Sequence, residues 1–147
     1  MSRENVEVVR RLVDIMRGGA SERMAEFWEP DGDYYPVRKF PESRPCHGPE
    51  EVQRFMAEYE AAWDSYEFVV KDAHPVGDDR VFVHGYIRAE GRESGVALEG
   101  DLFQCFWLRH GRLFRQEDHL TRRGAMRALG LDEDHPDDSP GAAGSSE

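Results

Sequence analysis

Cysteine and lysine are both scarce: the 147 residues contain only Cys46, Cys105, Lys39 and Lys71 of these types. Two cysteines without a CxxC spacing make no disulfide framework, so a reducing, cytoplasmic setting is expected. Basic residues are also in deficit, 19 Lys and Arg against 30 Asp and Glu, for a net charge of −11. That balance argues against a nucleic-acid partner, which would call for a basic footprint. No apolar run reaches the roughly 18 residues of a membrane span. The start, Met1-Ser2-Arg3-Glu4-Asn5, is polar and acidic where a signal peptide would turn apolar, so secretion is not expected. His47, His74, His84, His110, His119 and His135 show neither HxH nor HExxH spacing, and no metal or other cofactor is expected.

What is present suits one core. Apolar residues make up 39% of the chain and aromatic ones 11%, enough for a single domain of this length. Residues 132–147 read DEDHPDDSPGAAGSSE, with six acids, no base and no large apolar side chain. Such a stretch cannot repay the entropy of ordering and is expected to be a disordered acidic tail. Without it, 24 acids face 19 bases, so the folded part is only mildly acidic.

Hydrophobic period then orders the elements. Ser2 is placed to cap a helix with Val6, Val9, Val13 and Met16 on one face, ending at Gly18-Gly19. Ser21 opens a short second helix with Met24, Phe27 and Trp28 inward, stopped by Pro30. Asp33–Val37 reads as a short strand at an edge, because of Pro36, and 38–48 as a loop. Pro49 starts a third helix in which Val52, Phe55, Met56, Tyr59 and Trp63 recur at helical spacing. Beyond it the period falls to two over Tyr66–Val76, Arg80–Glu90, Val96–Leu108 and Arg112–His119. Gly77-Asp78-Asp79, residues 91–95 and His110-Gly111 connect these four strands as hairpins, and Thr121 caps a last helix ending at Gly130. The fold class is α+β.

This order resembles the nuclear transport factor 2-like superfamily. Two stretches are similar to its SnoaL-like proteins (polyketide cyclase and ketosteroid isomerase-like): Trp107-Leu108-Arg109-His110-Gly111-Arg112-Leu113, and Glu117-Asp118-His119-Leu120 before the final helix. The resemblance runs over roughly residues 3–131, so the domain is taken as 1–131. It implies a conical half-barrel: a curved antiparallel sheet covered by three N-terminal helices, with a pocket between them. It further implies a small hydrophobic molecule as ligand and a homodimer.

Alternation sorts the strands into two faces. The resemblance puts Val83, Gln104, Phe106, Gln116 and Asp118 on the concave, pocket side. The other face mixes Phe82, Tyr86, Phe103 and Trp107 with Arg115 and His119, the composition of a subunit interface. Asp118 is the candidate base or acid, since burial among apolar groups raises a carboxylate's proton affinity. Tyr35 and Gln104 complete the catalytic set as donors to a ligand carbonyl. Trp28, Phe55, Tyr59 and Trp63 would form the helical wall, and Val83, Phe106 and Gln116 the sheet's part of the ligand site. The implied activity is proton transfer on a hydrophobic or polycyclic carbonyl compound, of isomerase or cyclase type; the alternative is a non-catalytic binding domain. The ketosteroid isomerase branch has Asp before the early-strand proline and a second Asp near the position of Gln104. Here Tyr35 precedes Pro36, so that mechanism is not expected. The Asp-Arg-Asp set of limonene epoxide hydrolases would need an inward arginine, and a scytalone dehydratase-like site inward histidines. Neither is found on the inward face, where His84 and His119 point outward by alternation.

Overall fold

The computed structural model describes residues 2–17, 21–37, 44–91 and 97–131. Helix α1 (Ser2–Arg17), a 3-10 helix (Ser21–Phe27), β1 (Trp28–Tyr35), β2 (Cys46–His47) and α2 (Pro49–Ala62) come first. They are followed by β3 (Trp63–Val76), β4 (Arg80–Gly91), β5 (Ala97–Arg109), β6 (Arg112–His119) and α3 (Arg122–Ala128). The six strands form one sheet in the order β2-β1-β6-β5-β4-β3. The expected α+β class holds, with one difference in the sheet. β1 runs parallel to β6, pairing Tyr34 with Gln116 and Tyr35 with Glu117, so the sheet is mixed rather than wholly antiparallel.

Boundaries moved where aromatic residues suit either period. Trp28 opens β1 instead of ending the second helix, and Trp63 opens β3 instead of ending α2. The 38–48 loop contributes β2, whose Cys46 pairs with Tyr34. At the β5–β6 hairpin His110 and Gly111 both take positive φ, 56° and 75°, the two-residue turn whose twist matches the flanking strands. Thr121 caps α3 by accepting from the Gly124 amide at 3.0 Å. The tail 132–147 lies outside the described residues.

The main core lies between the helices and one sheet face. Val9, Leu12 and Val13 of α1, Met24, and Val52, Phe55 and Met56 of α2 pack on Phe68, Val81, Val83, Ile87, Leu102 and Phe106. Asn5 ties α1 to the β3–β4 turn by donating to the Asp78 carbonyl at 2.9 Å. Gly85 leaves room for the Phe68 ring: a Cβ there would stand 2.2 Å from Cζ. Phe68 is in turn one of the residues lining the cavity described below.

The outer face corrects an expectation. α3 folds back over it, and Ala125, Met126 and Leu129 bury Phe82, Phe103 and Cys105 in a second cluster. Two of the aromatics read as subunit contacts are therefore interior, covered by the chain's own C-terminal helix. β6 also departs from strict alternation. A register shift between Trp107 and Leu108 turns Leu113 into the core, fully buried, where unbroken alternation had it facing outward.

Candidate functional site

Asp118 stands on β6 with Gln104 as its direct partner across β5. Gln116 precedes it by two residues and so shares its face. β1, laid parallel beside β6, brings Tyr34 next to Gln116. These four side chains form one network. The Tyr34 hydroxyl donates to Asp118 Oδ2 at 2.6 Å. Gln116 Nε2 and Gln104 Nε2 both donate to Oδ1, at 3.0 and 3.3 Å. Gln104 Oε1 is buried with no hydrogen-bond partner.

Above this polar floor lies a cavity holding about 690 Å³ of atom-free space, its mouth included, of which the centre of a water-sized sphere can visit about 60 Å³. Its walls are aromatic and apolar: Tyr34, Phe55, Tyr59, Tyr66, Phe68 and Phe106 supply the rings. Leu12 and Val13 of α1, Met24, Met56, Ile87 and Leu102 fill in between. The Tyr34 and Phe55 rings meet at 70° and those of Tyr59 and Tyr66 at 85°. Asp118 is the one charged side chain among the described lining residues, and no ion pair to it is formed.

The electrostatics follow from that isolation. Burial raises the Asp118 pKa above the usual carboxylate value, while the donors Tyr34, Gln116 and Gln104 pull the other way without cancelling it. Burying a charge costs several kcal/mol when nothing pairs it, and three hydrogen bonds offset part of this. Tyr34 stays a neutral donor, because burial and the Asp118 charge push its pKa well above the ordinary phenol value. Burial likewise raises Tyr59 and Tyr66. Their rings meet edge to face, 5.6 Å between centroids, and both line the cavity.

Gln104, Gln116, Asp118, Phe55, Tyr59 and Phe106 all line this cavity. Four other expectations are corrected. Tyr35 faces away, its ring 4.6 Å from the Arg115 guanidinium on the outer side; one residue's shift gives its place to Tyr34. Trp28 is sealed in the core at 1% exposure, and Val83 equally so; Ile87 lines the cavity from their sheet. Trp63, pulled into β3, does not line the cavity and meets the lining residue Tyr59 edge-on, at 5.8 Å. Tyr34 and Tyr66 were missed. Period-two spacing carries both, but their face depends on strand pairing.

Among the described residues no three His, Cys, Asp or Glu side chains gather as a metal would need. Cys46, beside His47, is no activated thiol: it is buried, and burial pushes it up to about 11. His47 turns outward to Asp33 Oδ1 at 2.7 Å. No helix is long and apolar enough to cross a membrane.

Replacing Tyr34 by Phe tests the network without touching the carboxylate. The variant loses the donor that favours the ionised form, so the Asp118 midpoint is expected to move further up. The accompanying loss of stability is about 1 kcal/mol. A carboxyl-carbon NMR titration reads the shift; an unmoved midpoint would show that the 2.6 Å bond does not govern the charge.

The family profile of the SnoaL-like domain matches residues 9–116. The chain belongs to the SnoaL-like family. Solved structures agree with this protein's fold at low identity. A protein with a ketosteroid isomerase-like fold from Catenulispora acidiphila DSM 44928, crystallised with trimethylamine, superposes with a TM-score of 0.70 at 15% identity, over 88% of this chain and 96% of the other. An NTF2-like protein of unknown function from Burkholderia pseudomallei K96243 gives 0.72 at 18%, over 86% and 97%. TerC, co-crystallised with polyporic acid, gives 0.68 at 19%, over 79% and 90%. Among curated proteins none matches the chain. At these identities the likeness establishes the fold, and the activity has to be argued from the cavity.

Proposed function

We propose that this SnoaL-like protein is a cofactor-independent enzyme that moves a proton on a small, mostly apolar carbonyl compound, as an isomerase or cyclase does. The observation that carries the reading is the unpaired Asp118 carboxylate at the floor of an aromatic cavity. A base with raised proton affinity, shielded from water, is suited to take a proton from carbon beside a carbonyl and to return it at another position. The Tyr66 hydroxyl and the second amide hydrogens of Gln104 and Gln116, all on cavity-lining residues, are the donors offered to the developing oxyanion. Tyr66 thereby takes the role first given to Tyr35. That two proteins of this fold were crystallised with trimethylamine and with polyporic acid supports a small-molecule occupant.

One observation favours the second reading, a binding domain without turnover. Three donors already hold Asp118, which fits a fixed negative floor as well as a working base. A homodimer, if formed through the outer sheet face, has to use the strip around Tyr86, Trp107 and Arg115 that α3 leaves open. Native mass spectrometry of the purified protein counts subunits and detects a co-purified ligand together. A ligand recovered chemically changed after incubation supports the enzyme; one recovered unchanged over hours, at any pH, supports the binder.

A further inference from the structure

The polar atoms of the cavity are lopsided in a way that names a ligand. A carboxylate offers about four acceptor positions, and three at Asp118 are taken: two on Oδ1 and one on Oδ2. One on Oδ2 stays open. Gln104 Oε1, on the same side chain that donates to Asp118, is buried and accepts from nothing. One acceptor position, on Asp118 Oδ2, is therefore left open on a carboxylate that lines the cavity. No Lys, Arg or His is found among the described lining residues, so no side chain there supplies the missing positive charge.

The walls suit a cation as well. Six aromatic residues surround the floor, and ring faces attract a desolvated cation. Tyr34 meets Phe55 at 70° and Tyr59 meets Tyr66 at 85°, while Phe55 and Tyr59 lie nearly parallel at 18°. The room is also small, about 60 Å³ to the centre of a water-sized sphere.

We infer that the group bound at the floor of this cavity is a protonated amine, a small alkylammonium whose N–H meets Asp118 Oδ2 and whose alkyl groups lie against the rings. This rests on the reading that the cavity is the ligand site, and it holds whether or not Asp118 then moves a proton. A metal ion would find one carboxylate and no second anionic ligand. A free carboxylate or phosphate would find no cation.

The groups facing Asp118 are Tyr34 from β1, Gln104 from β5, Gln116 from β6, and Tyr59 and Tyr66 across the cavity. Its neighbour His119 is on the outer side, bonded to Glu117. The tyrosines stay neutral throughout the acidic range; Asp118 is the carboxylate among the described lining residues, and the charge of Glu60 on α2 acts on Tyr66. The test titrates the full chain with trimethylammonium chloride, tetramethylammonium chloride and neutral tert-butanol at constant ionic strength, followed by amide NMR. Trimethylammonium is expected to bind about tenfold or more tighter than either rival, one lacking the N–H and the other the charge. Its affinity is expected to fall as the pH drops from about 8 toward the carboxylate range, by up to about tenfold per pH unit below the Asp118 midpoint. Asp118→Asn is expected to lose about tenfold or more, and Tyr66→Leu to weaken the amine more than the alcohol. Equal binding of the three probes, or an amine affinity indifferent to pH in the unaltered protein, would overturn the inference. If only tert-butanol perturbs the cavity residues, the ligand site stands and the cation falls; if no probe perturbs them, both fall.

Discussion

Asp118→Asn is expected to reduce turnover of the natural substrate by about 10²–10⁴-fold, the range that a positioned acid or base contributes. The amide has the shape of the carboxylate and its oxygen still accepts from Tyr34, while its NH2 requires the Gln104 and Gln116 amides to turn their oxygens toward it. What it loses is the capacity to take a proton. KM is expected to change less than kcat if the substrate is neutral. Turnover left intact by the substitution would remove Asp118 from the chemistry and leave the binding-domain reading standing.

The same variant has a consequence for stability that needs no substrate. Burial raises the Asp118 pKa in the folded chain above its ordinary value of 3.8, so folding tightens the hold on that proton. The group's contribution is full below pH 3.8 and is lost as the pH rises through the raised folded value. Asparagine carries no such dependence. Measured against the unaltered protein, the variant's Tm is therefore expected to improve as the pH goes from the acidic range toward neutrality. A difference that stays flat with pH would mean that the three donors fully compensate the burial.

Why part of the site could be read in advance, and part not, comes down to which interactions are local. Alternation and the short His110-Gly111 turn between β5 and β6 put Gln104, Gln116 and Asp118 on one face, and the family resemblance implies that this face is the pocket's. Tyr34 against Tyr35 is a different matter. Which of two adjacent tyrosines faces inward depends on β1 lying parallel to β6, a contact across about eighty residues that no period encodes. Pro36 drew attention to the wrong neighbour, yet Pro36 itself lines the cavity. The bulge that turns Leu113 inward and the packing of α3 over Phe82 and Phe103 are likewise tertiary outcomes. An aromatic face under a short amphipathic helix has the same sequence pattern as one awaiting a second subunit.

Trp28 is the other residue whose replacement should act strongly, and for a reason opposite to that first expected of it. It was read as part of the ligand wall; it is 1% exposed and pairs with Leu113 where β1 joins β6. Its ring lies so close over Gly32 that a Cβ there would stand 2.6 Å from Cε3. Trp28→Ala would leave a large void at the seam that aligns Tyr34 with Gln116, at a cost of about 3–5 kcal/mol. For a domain of this size that lowers Tm by roughly 10–20 °C. Trp28→Phe should cost far less. Nε1 of the indole is buried without a partner, and phenylalanine removes that unsatisfied donor while keeping most of the ring. Urea unfolding orders the three proteins, with Trp and Phe close and Ala well below. Where the Ala variant is still folded, its affinity for cavity probes is expected to match the parent, since the indole does not line the cavity. A loss of affinity without a loss of stability would instead return Trp28 to the ligand wall.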